Sequence, residues 1–364
     1  GQPPVSSHKD WPGAMIGSTR KKPNKEDCQA AFDVFKRKDV RYFFYIGGND
    51  TSEACAIVND EAERSNHELR TFHVPKTIDN DLVLNDHCPG YASAARFVAH
   101  ATHGDDLDSL SLKGIKINVI MGRHAGWLTA ASVLCRAKDG DAPHLVYVCE
   151  KTQSVASLAQ DVVELYKRHK RGVISVSEGL CGPDGQEFLD SPAINKELGE
   201  GAYRPIQKYL LASQDMLAAT GVKRDDYGHV QLSGTGMLAD ALSAVAKIAL
   251  IEAGVKSPRV RADTFGYAQR AHTGEVSPVD AAEAEMCGRD AVRYAAQGDI
   301  DGSIALQAER KPKYRAFTKI VKLRDIGGKT RVLDAEFIAA NNKDITPAFL
   351  DYALPLVGPL ARSR

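Results

Sequence analysis

Tyr42-Phe43-Phe44-Tyr45-Ile46-Gly47-Gly48-Asn49-Asp50 and, farther on, Thr71-Phe72-His73-Val74-Pro75-Lys76-Thr77-Ile78-Asp79-Asn80-Asp81 are the stretches whose reading decides the fold. The first opens with an unbroken, aromatic-rich apolar run, which predicts a buried parallel strand. The run stops at a diglycine turn, after which Ala54, Ile57, Val58 and Ala62 recur on one face of a helical pattern. The second stretch is another short strand closed by Pro75. Two strand ends therefore bring a diglycine turn, a lysine and the carboxylates Asp50, Asp79 and Asp81 to one edge of a sheet. In open α/β sheets the ligand crevice lies outside those carboxyl ends. Glycines let backbone N–H groups approach phosphate oxygens, and a helix N-terminus adds positive potential. Paired aspartates offer a general base and a magnesium ligand, which together point to phosphoryl transfer.

Composition narrows the class. A chain of 364 residues, 43% hydrophobic and 26% charged, has the make-up of a globular protein with room for two α/β lobes. Lysine plus arginine and aspartate plus glutamate both number 47, so the net charge is zero. That balance argues against a nucleic-acid or membrane-surface binder, although a local basic cluster still suffices for an anionic substrate. Seven scattered cysteines without a C-x-x-C pair read as reduced thiols of a cytoplasmic protein. No apolar run reaches the length of a membrane span, and Gly1–Pro12 has no signal-peptide pattern.

Along the chain, Glu26–Lys38 reads as a helix with Cys28, Ala31, Phe32 and Phe35 on its apolar face. Asp50-x-x-Glu53 has the spacing of a capping box, so Asp50 is open to a structural as well as a functional reading. Asp79 and Asp81 could equally be turn aspartates. Ala92–Ala101 reads as a small-residue helix, Asp105–Lys113 as a polar link between lobes, and His100, His103 and Asp105 as surface residues. A strand at Ile115–Ile120 leads to Met121-Gly122-Arg123 and a helix burying Trp127, Leu128, Ala131, Leu134 and Cys135. Further strands are expected at Leu145–Cys149, at Val173–Ser177 before Glu178, and at Val230–Leu232. Gly234-Thr235-Gly236 reads as a tight turn rather than a phosphate loop. A helix at Val279–Gln297, a basic strand at Tyr314–Lys322 and proline-interrupted turns complete the chain.

GGND at Gly47–Asp50, PKTIDND at Pro75–Asp81 and MGRHAGW at Met121–Trp127, in that order, resemble the phosphofructokinase family, most closely its pyrophosphate-dependent bacterial branch. The resemblance runs from about Gly17 to the C-terminus. The second and third motifs together are specific, whereas lipid and NAD kinases also carry a GGND-like turn. What the resemblance implies is a two-lobed α/β fold with parallel sheets flanked by helices and the active site between the lobes. Residues 1–110 would form the pyrophosphate lobe and 111–270 the fructose 6-phosphate lobe, with 271–364 packing back on both.

By the same resemblance, Asp79 would take the proton of the sugar 1-hydroxyl. Arg20, Gly47, Gly48, Asp50 and Lys76 would meet the donor, and Asn49, Asp50 and Asp81 would hold Mg2+. Thr77, Met121, Gly122, Arg123, Glu178, Arg261, Tyr267 and Arg270 would bind the acceptor, with Lys76 and Arg123 also acting on the transferring group. ATP-using relatives have glycine where Asp50 and Lys76 stand; a carboxylate there would oppose the nucleotide α-phosphate. The implied partners are fructose 6-phosphate, pyrophosphate and further copies of the chain in a homodimer or homotetramer. Three departures stand out: no glycine-rich phosphate turn matches before Gly17, Asn49 replaces an aspartate, and an arginine expected near Gly114 is absent, leaving Lys113 or Lys116 to supply charge. They keep open a reading as a sugar-phosphate-binding subunit of weak activity, beside the ATP-dependent form that Asp50 and Lys76 oppose.

Overall fold

The computed structural model describes residues 11–361 apart from 20, 66, 220–234 and 299. In chain order its elements begin α1 (Lys25–Lys38), β1 (Tyr42–Gly47), α2 (Asn49–Arg64), β2 (Arg70–Pro75), α3 (Tyr91–Ser111), β3 (Ile115–Ile120), α4 (Trp127–Ala131), β4 (Leu145–Tyr147), α5 (Val155–His169) and β5 (Gly172–Ser177). They continue with α6 (Pro192–Leu198), α7 (Arg204–Ala219), α8 (Met237–Glu252), β6 (Val260–Thr264), α9 (Pro278–Ala295), β7 (Gly302–Glu309), β8 (Arg315–Val321), α10 (Leu323–Ile326) and α11 (Pro347–Val357). The chain divides into two units. The first runs up to Ala94 and includes His272–Arg331 and Pro355–Gly358; the second holds Ala95–Ala271, Val332–Leu354 and the residues from Pro359. The segment after Ala271 is thus shared between them.

The first unit is built on a sheet of order β1-β2-β7-β8. β1 and β2 are parallel and in step from Tyr42↔Arg70 to Gly47↔Pro75, so their C-terminal ends are level. The Lys76 N–H donates to the Gly47 carbonyl at 2.9 Å and keeps the following loops side by side. α1 starts at a capping box in which Asn24 and Asp27 satisfy each other's backbone N–H groups. Phe32 from α1 packs with Val58 and Ala62 of α2 and with Leu69, and Phe35, Val40 and Phe43 close the edge of this core. A second core joins Val74 and the β7 residues Ile304 and Leu306 to Cys287 and Ala291 of α9.

Two expectations are corrected here. β1 is not buried: it is an edge strand among the described residues, and Tyr42, Phe44 and Ile46 are 50%, 36% and 51% exposed. Its apolar run reflects two different half-covered faces, one with Phe43 against α1, the other with Phe44 stacked on Phe72 at 5.2 Å. Secondly, the sheet is not wholly parallel. β7, which no sequence signal announced, pairs antiparallel with β8 from Ser303↔Val321 to Glu309↔Arg315.

The second unit carries the sheet β4-β5-β3-β6, parallel throughout. Ile115, Ile117 and Val119 of β3, with Ile174 and Val176 of β5, pack into a core with Leu158 and Val162 of α5 and Leu242 and Val245 of α8. β3 and β5 are in register through Ile120↔Ser177, which again levels the strand ends. A ring cluster of Trp127, Phe337, Phe349 and Tyr352 ties the 332–354 segment to α4. The C-terminal stretch read as turns also carries a helix: Pro347 stands at the first position of α11, where a missing N–H costs nothing, and Pro355 falls in its last turn. The supposed polar link beyond Asp105 is also helical, as the second half of α3. Asp105 is half-buried and accepts from Asn118 Nδ2 at 2.8 Å.

Candidate active site

In the first unit, the diglycine turn and the Lys76–Asp81 loop leave adjacent strand ends. Gly47 is required by space, since a Cβ there would lie 2.1 Å from Thr51 Oγ1. His73, absent from the sequence-based expectations, steadies this turn from below. Its ring is fully buried and reaches the Gly47 carbonyl through Nε2 at 2.9 Å and the Ser303 hydroxyl through Nδ1 at 2.7 Å. A carbonyl only accepts, so Nε2 carries the proton and Nδ1 receives the hydroxyl's. Burial lowers this imidazole's pKa to about 4, which keeps it neutral.

The capping-box expectation for Asp50 does not hold. α2 begins at Asn49 with Gly48 as N-cap and no side-chain cap, and Glu53 instead takes Lys22 Nζ at 2.6 Å. Asp50 sits inside the first helical turn, where the dipole favours its charge.

The loop beyond Lys76 is shaped by its own polar groups. Asp79 N–H donates to Thr77 Oγ1 at 3.1 Å. Asn80 takes a left-handed conformation (φ 58°), is fully buried, and accepts from the Cys88 N–H at 2.9 Å. Arg331 N–H holds the Asp81 carbonyl at 2.6 Å. The Asp81 carboxyl is itself buried, and burial, followed by the nearby charges of Asp79 and Asp50, raises its pKa to about 7. Asn49 Nδ2 donates to Thr330 Oγ1 at 3.0 Å, and Thr330 bridges Leu82, which brings Asn49 to the neighbourhood of Asp81. Asn49 Oδ1 and Asp81 Oδ1 are both buried and lack a hydrogen-bond donor.

Two orphaned acceptor oxygens fit a hard, oxygen-seeking cation. Among the described residues no cluster of three or more His, Cys, Asp or Glu side chains could hold a metal alone. The residues thus fit a magnesium ion that shares its shell with water and substrate oxygens, as that ion usually does.

Asp81 gives a prediction for metal-free protein. Its folded-state pKa lies above the unfolded value, so the stability tied to its proton is present at low pH and lost as pH rises toward and past 7. Asp81→Asn is expected to be the more stable protein in EDTA at pH 8, by on the order of 3–4 kcal/mol at about 1.36 kcal/mol per pKa unit, and to lose that advantage by pH 4. Urea denaturation at the two pH values measures this; equal stability at pH 8 would contradict a strained buried carboxylate.

In the second unit, Met121-Gly122-Arg123 and Glu178 leave the level ends of β3 and β5. The Glu178 N–H donates to the Ile120 carbonyl at 2.8 Å, and its Oε1 accepts from the Gly122 N–H at 3.3 Å. Ser177 Oγ donates to the Gly122 carbonyl at 2.5 Å. Gly122 has φ 120°, and a Cβ there would sit 2.4 Å from the Ala125 carbonyl oxygen, so only glycine makes this turn. Two further residues hold it that the sequence did not single out. Glu150 Oε1 accepts from the N–H groups of Gly126 and Leu333, both at 2.8 Å. Buried Gln269 receives the Met121 N–H at 3.3 Å and donates to the Gly266 carbonyl at 2.9 Å. Gln269 thereby fastens the turn that bears Tyr267 and Arg270, whose guanidinium lies 5.3 Å from the centre of the Tyr267 ring.

Arg261 stands apart. It lies opposite Lys116 near the start of β3, whereas Glu178 follows the residue opposite Ile120 at the strand's other end. Lys116 is itself held by Asp263 and, at 3.5 Å, by Asp105, so it is not a spare cation for an anionic ligand. Arg20, the strand expected at Val230–Leu232 and Gly234 lie outside the described residues.

Comparison with known proteins fits this geometry. Residues 2–295 match the family model described as phosphofructokinase. The chain is 45% identical over 349 residues to the pyrophosphate–fructose 6-phosphate 1-phosphotransferase of Rhodospirillum rubrum, covering 96% of this chain and 78% of that protein. The protein of the same description from Halomonas elongata is 30% identical over 362 residues, covering 97% and 77% of the two chains. A crystal structure of the pyrophosphate-dependent phosphofructokinase of Marinobacter aquaeolei superposes with a TM-score of 0.74 at 25% identity, over 98% of this chain and 76% of that one.

Proposed function

Because the chain belongs to the phosphofructokinase family, we propose that it transfers a phosphoryl group from pyrophosphate to O1 of fructose 6-phosphate, yielding fructose 1,6-bisphosphate and phosphate in glycolysis. The observation that carries this reading is the trio of carboxylates Asp50, Asp79 and Asp81, gathered beside a helix N-terminus at two level strand ends. Phosphoryl transfer through a loose transition state requires mostly positioning and charge neutralisation. Asp79 accepts the 1-hydroxyl proton as the P–O bond to the leaving phosphate breaks. The Lys76 ammonium, a compact point charge, neutralises the donor. Arg123 steadies the transferring group, while Met121, Gly122, Glu178, Tyr267 and Arg270 hold the sugar phosphate. Asn49 and Asp81, with Asp50, would hold magnesium, which when bound offsets phosphate charge. Seven cysteines are free, which supports a cytoplasmic enzyme, and no described helix is long and apolar enough to cross a membrane. A coupled assay with purified protein is expected to show turnover with pyrophosphate and little with ATP; the reverse preference would defeat the donor assignment.

Arg261 lies away from the acceptor residues of its own chain, which supports a role in the 6-phosphate site of a second copy. Such a shared site makes the active form a homo-oligomer. Mixing inactive Arg261→Ala and Asp79→Ala chains is then expected to restore part of the activity, since a mixed dimer regains one intact site. A fully active monomer in sedimentation would remove this proposal.

A further inference from the structure

Arg123 is gripped from the side. Its Nε donates to Glu187 Oε1 at 2.6 Å and its Nη2 to Glu187 Oε2 at 3.1 Å. This is the two-pronged geometry that fixes a guanidinium plane as well as its position. The side chains are only 18% and 12% exposed, so solvent screens the pair far less than a surface ion pair. The carboxylate itself has little freedom. Glu187 closes a hairpin by bridging Cys181, and Phe188 N–H donates to the Leu180 carbonyl at 2.7 Å. The hairpin tip is tied down in turn: Asp184 accepts from Ser191 Oγ at 2.8 Å and from the Ala193 N–H at 3.0 Å.

The backbone of Arg123 is equally confined. A Cβ on Gly179 would lie 1.8 Å from the Arg123 carbonyl oxygen, so the chain leaving β5 rests directly on the chain leaving β3. The guanidinium, held at Nε and Nη2, takes its plane from Glu187.

We propose that Glu187 is a positioning residue for the phosphoryl transfer, holding the Arg123 guanidinium in the plane in which it meets the transferring group. The proposal rests on the reading of Arg123 given above. A group that acts through Arg123 mainly on the transition state changes kcat more than acceptor binding. Loss of one charge-assisted pair is worth about ten- to a hundredfold in rate.

The test is a double-mutant cycle with pyrophosphate and fructose 6-phosphate, using wild type, Arg123→Ala, Glu187→Gln and the double variant. The expected result is a fall in kcat of about ten- to a hundredfold for Glu187→Gln, any rise in KM for fructose 6-phosphate being smaller than that fall, and no further fall when Arg123→Ala already carries the defect. If Glu187→Gln does not fold, as judged by circular dichroism, Glu187→Asp, which keeps the charge one methylene short, enters the same cycle. Additive losses would overturn the proposal and make Glu187 merely structural, as would a change confined to KM or to Tm. If Arg123→Ala itself keeps full kcat, the failure belongs to the reading of Arg123 and the proposal falls with it.

Discussion

Asp79→Ala is expected to lower kcat by about 10²–10⁴-fold, the range associated with a lost general base, while KM for fructose 6-phosphate changes little. A base acts as the proton leaves, so its removal is felt in the transition state rather than in ground-state binding. The loop makes this separation possible. Asp79 is positioned by its own N–H on Thr77, and the fold around it depends on neighbours: buried Asn80, which holds Cys88, and Asp81, whose carbonyl is held by Arg331. Truncating Asp79 therefore leaves the loop anchored on both sides. Steady-state kinetics in the forward and reverse directions measure the effect. A loss appearing in KM alone, with kcat preserved, would return Asp79 to the role of a turn aspartate.

The combined substitution Asp50→Gly and Lys76→Gly is expected to raise the ratio of kcat/KM for ATP over that for pyrophosphate by about a hundredfold or more. Like-charge juxtaposition costs several kcal/mol, and each 1.4 kcal/mol is tenfold. Asp50 lies in the first turn of α2 and Lys76 follows the adjacent strand, with its N–H on the Gly47 carbonyl, so both charges belong to one pair of level strand ends. On the proposed reading, removing Asp50 would take away the carboxylate that opposes a nucleotide α-phosphate, and removing Lys76 the cation matched to a small anion. Gly48 already caps α2, so replacing Asp50 sacrifices no cap and the variant is expected to fold. Unaltered donor preference in the double variant would show that electrostatics at these two positions does not choose the donor.

The sequence disclosed what is written in local pattern. β3 could be read to the residue because Ile115–Ile120 is bounded by a glycine on one side and the MGR turn on the other. The helix α1 announced itself by the apolar face of Cys28, Ala31, Phe32 and Phe35, and α9 was expected at Val279–Gln297; the caps Asn24 and Ser277 that start them were not singled out. An apolar run does not say how many neighbours its strand will have, which is why β1 read as central although it lies at an edge. β7 was missed although Asp301-Gly302 and Lys311-Pro312 bracket it, because Gly302–Glu309 mixes small, apolar and polar residues without a clean alternation. Pro347 and Pro355 masked α11 because two prolines so close together read as breakers, although the first occupies the helix's first turn and the second its last. Among the site residues, those in contiguous motifs were visible. Those that hold the motifs in place were not: Glu187 is 64 positions from Arg123, and His73 meets Ser303 across 230. No local pattern encodes a partner that only the fold brings near.

The outer flank of β1 has a bearing on how this protein behaves as a material. Tyr42, Phe44 and Ile46 are exposed on a strand that has no neighbour on its outer side among the described residues, and no lysine or proline stands within Tyr42–Gly47 as a gatekeeper. Such a flank is a template for any extended chain, including the unfolded fraction of its own kind. Association of the purified chain is then expected to steepen with concentration and to proceed by strand addition at this edge.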